Sequence, residues 1–464
     1  MDAIAILDVG KTNAKVTLVA GGRVVEQRRQ HNGPHPAPPY LRLANDRIWD
    51  WAMGELADLA KHHDITDIVP VAHGASVAII DDKGLVLPML DYEQDISEFD
   101  AEYEKLARDF AATGSPRLPC GHNTGRQLFW LQRKFPDAFA RTKAIVGYAQ
   151  YWSFLLSGVA ANELTALGCH TDLWQPKAAD FAPLVDKAGW RKLMPPLRRA
   201  SDVLGPIRPE IATRTGLSPD CRVRCGIHDS NATFLRWRTR LEEPFTVAST
   251  GTWIILLVAG GALPENGERL DCLGNVDALG NLVASARFMG GREYEFISGD
   301  AAEEPAPPAQ RLAALVADPC FALPAFSDQG GPFAGTRGRF VDAAGNDAIP
   351  WRRATLAALY AALMTDLMLD LVSARGPILL EGPFASNETY VAALATLRPI
   401  SEVRPSLDAF GTSLGAAMLV DPGMPVEMPA PAPAPALDLG LYRARWRTFV
   451  GASRLLAAET QFFN

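Results

Sequence analysis

The chain opens on an apolar run, AIAILDV from Ala3, that breaks at the polar turn Gly10-Lys11-Thr12-Asn13. Val16, Leu18 and Ala20 then alternate with Thr17 and Val19, Gly21-Gly22 turns the chain, and RVVEQ resumes. This pattern predicts a β-hairpin with a third strand behind it. The same arrangement returns half a chain later. FTVAS, from Phe245, and WIILLVA flank the tight turn Thr250-Gly251-Thr252. Between the two copies, VPVAHGASVAIIDDKGLVLPML predicts two strands around an Asp82–Gly84 turn, with His73 and Gly74 at a strand end. TGRQLFWLQRKFPDAFARTKAIVGYAQYWSFLLSG predicts two helices, and the spacing of Leu128, Leu131 and Phe135 makes that stripe core. RVRCGIHDSNATFLRW predicts a strand that ends at His228-Asp229 and passes into a helix capped by Asp229 or Ser230.

Toward the C-terminus, GPILLEGPFASNETYVAALATL predicts strand, turn at Gly382-Pro383, and a helix capped by Ser386 or Asn387. Before it, RRATLAALYAALMTDLMLDLVSARG predicts a long apolar helix that stops near Gly376. After it comes a helix with Gly411, Ser413, Gly415, Ala416 and Ala417, small residues that permit close packing. GMPVEMPAPAPAPALD predicts an extended linker, and LYRARWRTFVGASRLLAAETQFF a final helix.

The letters GKT also end the phosphate loop of P-loop NTPases. That loop needs a glycine five positions before its last glycine and a helix after it. Here Ala5 holds the first position and a strand follows. The alternative is a strand–turn–strand phosphate loop. Gly10 lets a ligand approach the backbone closely. The backbone amides with Thr12 and Asn13 offer donors to phosphate oxygens, and Asp8 is placed to hold Mg²⁺ through water. An ordinary polar hairpin turn would read the same way locally. Asp229, at a strand's C-terminal end, is placed to accept a proton from a substrate hydroxyl or simply to cap its helix.

The 464 residues exceed one ordinary core, so two or three domains are expected. Hydrophobic residues make up 48% and charged residues 21%, and the net charge of −8 argues against a nucleic-acid partner. No basic leader precedes the first strand, and no run approaches 18 apolar residues, so neither a signal peptide nor a membrane span is expected. Cys120, Cys169, Cys221, Cys225, Cys272 and Cys320 are scattered and are read as structural or surface thiols of a cytoplasmic protein.

The stretches DVGKTNAK, GRQLFWLQRKFPDAF, NELTALGCHTDLW, GIHDSNA, STGTW, EGPFASN and GTSLGAAML, in this order, resemble the FGGY carbohydrate kinases of the actin-like ATPase superfamily. The resemblance spans Ile4 to Val420, and His228 before Asp229 points to the rhamnulose and fuculose kinase branch. It implies an α/β fold of two ribonuclease-H-like, actin-like domains with an interdomain cleft. Residues 1–239 would bind sugar, 240–421 would bind ATP, and 422–464 would form the linker and helical tail.

Carried over by position, Asp8, Gly10 and Thr12 form the first phosphate motif and Gly251 and Thr252 the second; Lys11 and Asn13, in the same turn, join them as candidates for the nucleotide. Gly382, Ser386 and Asn387 form the adenosine motif, although Glu381 and Pro383 interrupt its usual glycines. Asp229 becomes the catalytic base and, with Asp8, a candidate Mg²⁺ ligand. The family usually has Thr or Ala where Lys11 stands; the lysine either contacts phosphate or projects into solvent. On the sugar side stand His73, Gly74, Asp91, Tyr92, Glu93 and His228, with Thr165 and His170 in a loop near the substrate. Tyr92 replaces the usual Trp of PMLDYEQDI, and the usual Arg is missing.

The implied activity is ATP-dependent phosphorylation of a ketose or deoxyketose. A nucleotide-driven actin-like ATPase and a catalytically silent sugar sensor are the rivals on the same fold. ATP, Mg²⁺ and a small sugar are the expected ligands, with no membrane partner, and association as a homodimer is left open.

Overall fold

The computed structural model describes residues 2–106, 108–302 and 304–460, with side chains up to Gly451. The final residues of the tail helix expected at 441–463 thus lie outside the described residues. Two compact units result. The first runs to Leu241 and adds Gly274–Leu282 and Phe410–Val426; the second holds Glu242–Leu273, Val283–Ala409 and the segment from Glu427.

In the first unit, the hairpin forms as β1 (Asp2–Val9) and β2 (Asn13–Ala20), followed by β3 (Arg23–His31). β1 and β2 are antiparallel, with Asp8 opposite Lys15. Helix α1 (Asn45–Leu59) leads to β4 (Asp64–Ala72), which lies parallel to β1 and sets Asp8 beside Val71. Helix α2 (Thr124–Lys134) carries the expected stripe: Leu128 and Leu131 are buried in core, with Phe135 packed against it. The segment read as two helices holds more than that. Pro136–Phe139 forms a short helix, and Ala144–Gly147 is a strand paired with Val77–Asp81. Lys143 and the alanines hid that strand, because cross-strand pairing with a distant segment, not local propensity, makes it.

The sheet continues through Val203–Pro206 (β5), Arg222–Arg224 (β6) and Ile227–His228 (β7). β6 and β7 are one strand broken at Cys225-Gly226. Gly226 sits at φ +86°, and a Cβ there would lie 2.5 Å from the Pro70 carbonyl oxygen. Helix α3 (Asp229–Arg238) begins directly after β7.

In the second unit, β8 (Phe245–Thr250) and β9 (Ile254–Ala259) form the second hairpin. Its sheet runs Cys272–Val276 (β10), Leu282–Phe288 (β11), β9, β8, Ile378–Glu381 (β12), Val403–Pro405 (β13). β12 is parallel to β8, as β4 is to β1. The internal duplication therefore extends past the hairpins. A parallel strand, an antiparallel hairpin and a further strand recur in each unit.

Helix α4 (Arg353–Leu371) is long and apolar enough to cross a bilayer by length and composition, against the sequence expectation; 83% of its apolar window is buried in protein. Helix α5 (Glu388–Leu397) packs against it.

Helix α6 (Gly411–Ala417) was expected in the C-terminal domain but belongs to the first unit, against α3. Its small residues decide this. A Cβ on Gly415 would lie 1.8 Å from the Ala232 carbonyl oxygen, so only glycine allows the two helices this close.

The segment 422–464 is likewise not a separate piece. Its proline-rich stretch carries no regular structure, and α7 (Gly440–Thr460) docks on the second unit's core through Tyr442, Trp446 and Val450. Trp446 Nε1 donates to the Ala322 carbonyl at 2.8 Å. Asp366 of α4, wholly buried, accepts from Arg447 Nη2 of α7 and forms an ion pair with Arg443 of α7, at 2.7 Å each. A buried carboxylate needs such counter-charge, which ties the tail to α4.

Candidate active site

The turn between β1 and β2 closes with the Gly10 amide donating to the Asn13 carbonyl at 3.0 Å. Asn32 supports it from behind. Its amide donates to the Thr12 carbonyl at 2.7 Å and its Nδ2 to the Gly10 carbonyl at 2.8 Å. Thr12 stays exposed. Asp8, 4% exposed, ends β1 with its Oδ2 3.2 Å from Lys15 Nζ. Burial raises its pKa, Lys15 pulls it down, and the charge of Asp229 raises it further. The two carboxylates are thus close enough to repel.

Among the described residues no group of three or more His, Cys, Asp or Glu could hold a metal ion. Two hard carboxylates fit Mg²⁺ nevertheless, because this ion is bound by one or two carboxylates while keeping several waters.

Asp229 is the first residue of α3 rather than its cap; that place falls to His228, whose side chain makes no cap bond. Asp229 Oδ1 accepts from the Ser230 amide at 2.5 Å and lies 3.2 Å from both Ser230 Oγ and His228 Nε2. Among the described residues Oδ2 makes no hydrogen bond or ion pair. His228 is held at both ends of its residue. Its amide donates to Thr165 Oγ1 at 3.0 Å, and its Nδ1 lies 3.1 Å from the Asn231 side-chain amide. Thr165 Oγ1 in turn donates to Glu163 Oε2 at 2.5 Å. Burial lowers the pKa of His228, but the charges of Cys169 and Asp229 lift it to about 9. Cys169 is buried beside it, and His170 Nδ1 donates to the His122 carbonyl at 2.8 Å.

The sugar-side residues gather around Tyr92. Its ring meets His122 at 4.6 Å and His73 at 5.6 Å between centroids. Gly74 leaves no room for a Cβ, which would lie 2.9 Å from His228 Nε2.

Lys11 lies at the sugar loop. Its ammonium lies 2.5 Å from Asp91 Oδ1, 3.8 Å from Glu93 and 4.1 Å from the centre of the Tyr92 ring. Asp91 is wholly buried, where a carboxylate calls for a cation close by, and the lysine folds over the sugar loop to meet it. It supplies the cation that PMLDYEQDI lacks.

Three buried acceptors in this neighbourhood have no partner: His73 Nε2, Asp91 Oδ2 and Gln127 Oε1. Unpaired buried acceptors are rare in native proteins and call for donors from a ligand or water. His73 Nδ1 is turned to the Gly74 carbonyl at 2.7 Å, so it donates and leaves Nε2 as an acceptor. Burial holds this imidazole's pKa down. Gln127 was passed over in the sequence. Its signal was a polar residue on the apolar stripe of α2, where its Nε2 donates to the Ala75 carbonyl at 2.7 Å and to the Gly121 carbonyl.

In the second unit, the Gly251 amide donates to the Trp253 carbonyl at 2.9 Å, closing a turn of the same kind, with Thr252 exposed. Ser249 stands where the first hairpin has Asp8, so the carboxylate belongs to one copy alone. Gly382 is required: at φ +87° its Cβ would lie 2.1 Å from the Thr250 carbonyl oxygen. Thr250 Oγ1 donates to the Glu381 carbonyl at 2.6 Å and accepts from the Phe384 amide at 3.1 Å. The Gly-Pro break thus leaves the two turns locked together. Ser386 Oγ is exposed and donates to the Pro383 carbonyl at 2.8 Å. Asn387 caps α5, its Oδ1 accepting from the Tyr390 amide at 2.9 Å, and its Nδ2 donates to Tyr294 at 3.3 Å. Its side chain thus caps the helix and braces Tyr294. Gly290-Gly291, unnoticed in the sequence, lies against this turn: a Cβ on Gly291 would lie 2.1 Å from the Gly251 carbonyl oxygen.

Comparison with known proteins bears on the same residues. Residues 97–235 match the N-terminal domain of the FGGY family of carbohydrate kinases, and 242–428 match the FGGY carbohydrate kinase C-terminal domain. A carbohydrate kinase from Novosphingobium aromaticivorans has a crystal structure that superposes with a TM-score of 0.88 and 39% identity, covering 97% of this chain and 98% of that one. Putative sugar kinase YoaC of Bacillus subtilis is 24% identical over 287 residues, 58% of this chain and 56% of that protein. L-fuculokinase of Haemophilus influenzae is 29% identical over 141 residues, 29% of this chain and 28% of that protein. The chain thus spans about half the length of the first curated relative and less of the second. Its two domains have the actin-like ATPase fold expected from the sequence. With both domain models matched in order and that identity held along nearly the whole length, the chain belongs to the FGGY family of carbohydrate kinases.

Proposed function

We propose that the protein transfers the γ-phosphoryl group of ATP to a terminal hydroxyl of a ketose or deoxyketose, in a cytoplasmic setting where ATP is supplied. The observation that carries the reading is the free Oδ2 of Asp229 beside Asp8, next to the unpaired acceptors of His73, Asp91 and Gln127. Those acceptors suit the hydroxyl donors of a sugar. Asp229 Oδ2 accepts the proton of the attacked hydroxyl, while Ser230 and His228 hold Oδ1 and fix the carboxylate's orientation. Asp8 would hold Mg²⁺, which when bound would screen the charge on the phosphate oxygens of ATP. Gly10, Thr12 and Asn13 in the first unit, and Gly251, Thr252 and Gly382 in the second, offer amides and hydroxyls to the phosphates.

An ADP-release screen over ketopentoses, ketohexoses, 6-deoxyketohexoses and polyols tests this. At least one should raise release well above the rate without sugar. If none does, the kinase reading fails, and steady hydrolysis indifferent to every sugar favours an actin-like ATPase. With the sugar found, Asp229→Asn should lower kcat by roughly 10²–10⁴-fold, about 3–5 kcal/mol. Turnover near wild type in that variant removes Asp229 from the reaction.

A further inference from the structure

Away from these residues, the first unit holds a cavity of about 500 Å³ between the end of β3, the start of α1 and the segment that precedes the sugar loop. Its walls combine cations with an apolar floor. Arg42 and Arg47 line it, with Leu43, Leu85 and Met89 beneath. Arg42 is half-buried, and among the described residues it has no ion-pair partner and its buried Nε no hydrogen bond. Arg47 donates to the His31 carbonyl at 3.2 Å and has no ion pair among the described residues. Asp46 is the only carboxylate on the lining. A half-buried guanidinium without counter-charge is costly, which leaves the cavity short of negative charge.

The start of α1 adds to this deficit. Ala44, its N-cap, provides no side-chain bond, and Ala44 to Arg47, the uncapped start of the helix, line the cavity. Asn45 also lines the cavity at 4% exposure. Its Oδ1 is taken by the Tyr148 hydroxyl at 2.8 Å, and its Nδ2 is a buried donor without a partner. Two arginines, the uncapped N-terminus of a fifteen-residue helix and Asn45, whose Nδ2 lacks an acceptor, therefore line one cavity.

We propose that this cavity is a second ligand site, separate from the residues assigned to phosphoryl transfer, that takes the phosphate group of a small anion. Arg42 and Arg47 pair with the phosphate oxygens, the α1 amides complete its shell, and any carbon skeleton rests on Leu43 and Met89. The site adjoins the sugar loop: the Leu43 amide donates to the Met89 carbonyl and the Asp91 amide to the Leu41 carbonyl, each at 3.0 Å.

Calorimetric titration of the full chain with inorganic phosphate, and separately with glucose 6-phosphate, tests the proposal at millimolar concentration. Arg42→Gln, Arg47→Gln and Asp8→Asn are titrated alongside, each checked for an unchanged unfolding midpoint without ligand. Arg47 is exposed, so its variant folds even if Arg42→Gln does not. Binding should persist in Asp8→Asn and weaken about tenfold or more in Arg47→Gln, the loss of one charged hydrogen-bond pair. Equal binding of both probes identifies free phosphate as the ligand, and tighter glucose 6-phosphate identifies a phosphorylated metabolite. No heat with either probe overturns the site, as does binding that is lost in Asp8→Asn and intact in Arg47→Gln. Sugar-dependent ADP release is measured independently, so failure here leaves the kinase reading standing, and the reverse.

Discussion

Lys11 is the counter-charge of a wholly buried carboxylate, so its removal is felt in the sugar loop. Lys11→Met should raise the KM for sugar about tenfold, the equivalent of roughly 1.4 kcal/mol, and leave the KM for ATP unchanged. A rise confined to ATP would return Lys11 to the phosphate turn. Glu163 offers a different handle. Burial lifts its pKa from 4.5 to about 7, against hydrogen bonds from Thr165 and Ala166. Between those values the unfolded chain gives up a proton that the folded protein keeps. Stability from this group is therefore full below about 4.5 and falls as pH rises toward about 7. Glu163→Gln should flatten that part of the pH–stability curve while retaining the cap on the Thr165 amide. A wild-type-minus-variant difference that is constant across the range would remove the titration from Glu163.

At the scale of elements, the contact of α3 with α6 is the sharpest case. Gly415→Ala gains about 1 kcal/mol of helix propensity and places a Cβ 1.8 Å from a backbone oxygen. Backbone cannot yield as a side-chain tip can, so overlap should prevail, with a net loss of about 1–3 kcal/mol in urea unfolding. A variant as stable as wild type would show that the two helices have room to part. Both hairpins, α2, α4 and the strand-to-helix passage at Asp229 were legible because each is written in a few adjacent residues. The strand Ala144–Gly147 was not, since its partner Val77–Asp81 lies far away in sequence. Nor was the place of α6: small residues announce close packing without naming the neighbour.

At the scale of the molecule, every residue assigned to the sugar lies in the first unit, whereas Gly251, Thr252 and Gly382 lie in the second. Sugar should therefore bind without nucleotide. At one hundred times its Kd, it should stabilise the protein by about 2.7 kcal/mol, read as a rise in unfolding temperature. A sugar that is turned over yet gives no shift in nucleotide-free protein would place its recognition elsewhere.

The sequence by itself determined the two turn-bearing hairpins and, through its ordered motifs, the family. Turn sterics and strand alternation act within a few residues, so such features are written locally. Tertiary structure alone decided that Lys11 serves Asp91, that Asn387 is spent as a cap, that Phe410–Val426 joins the first unit, and that Arg42 and Arg47 line a common cavity. Desolvation and close contact between segments distant along the chain govern those outcomes, and they exist only once the chain is folded.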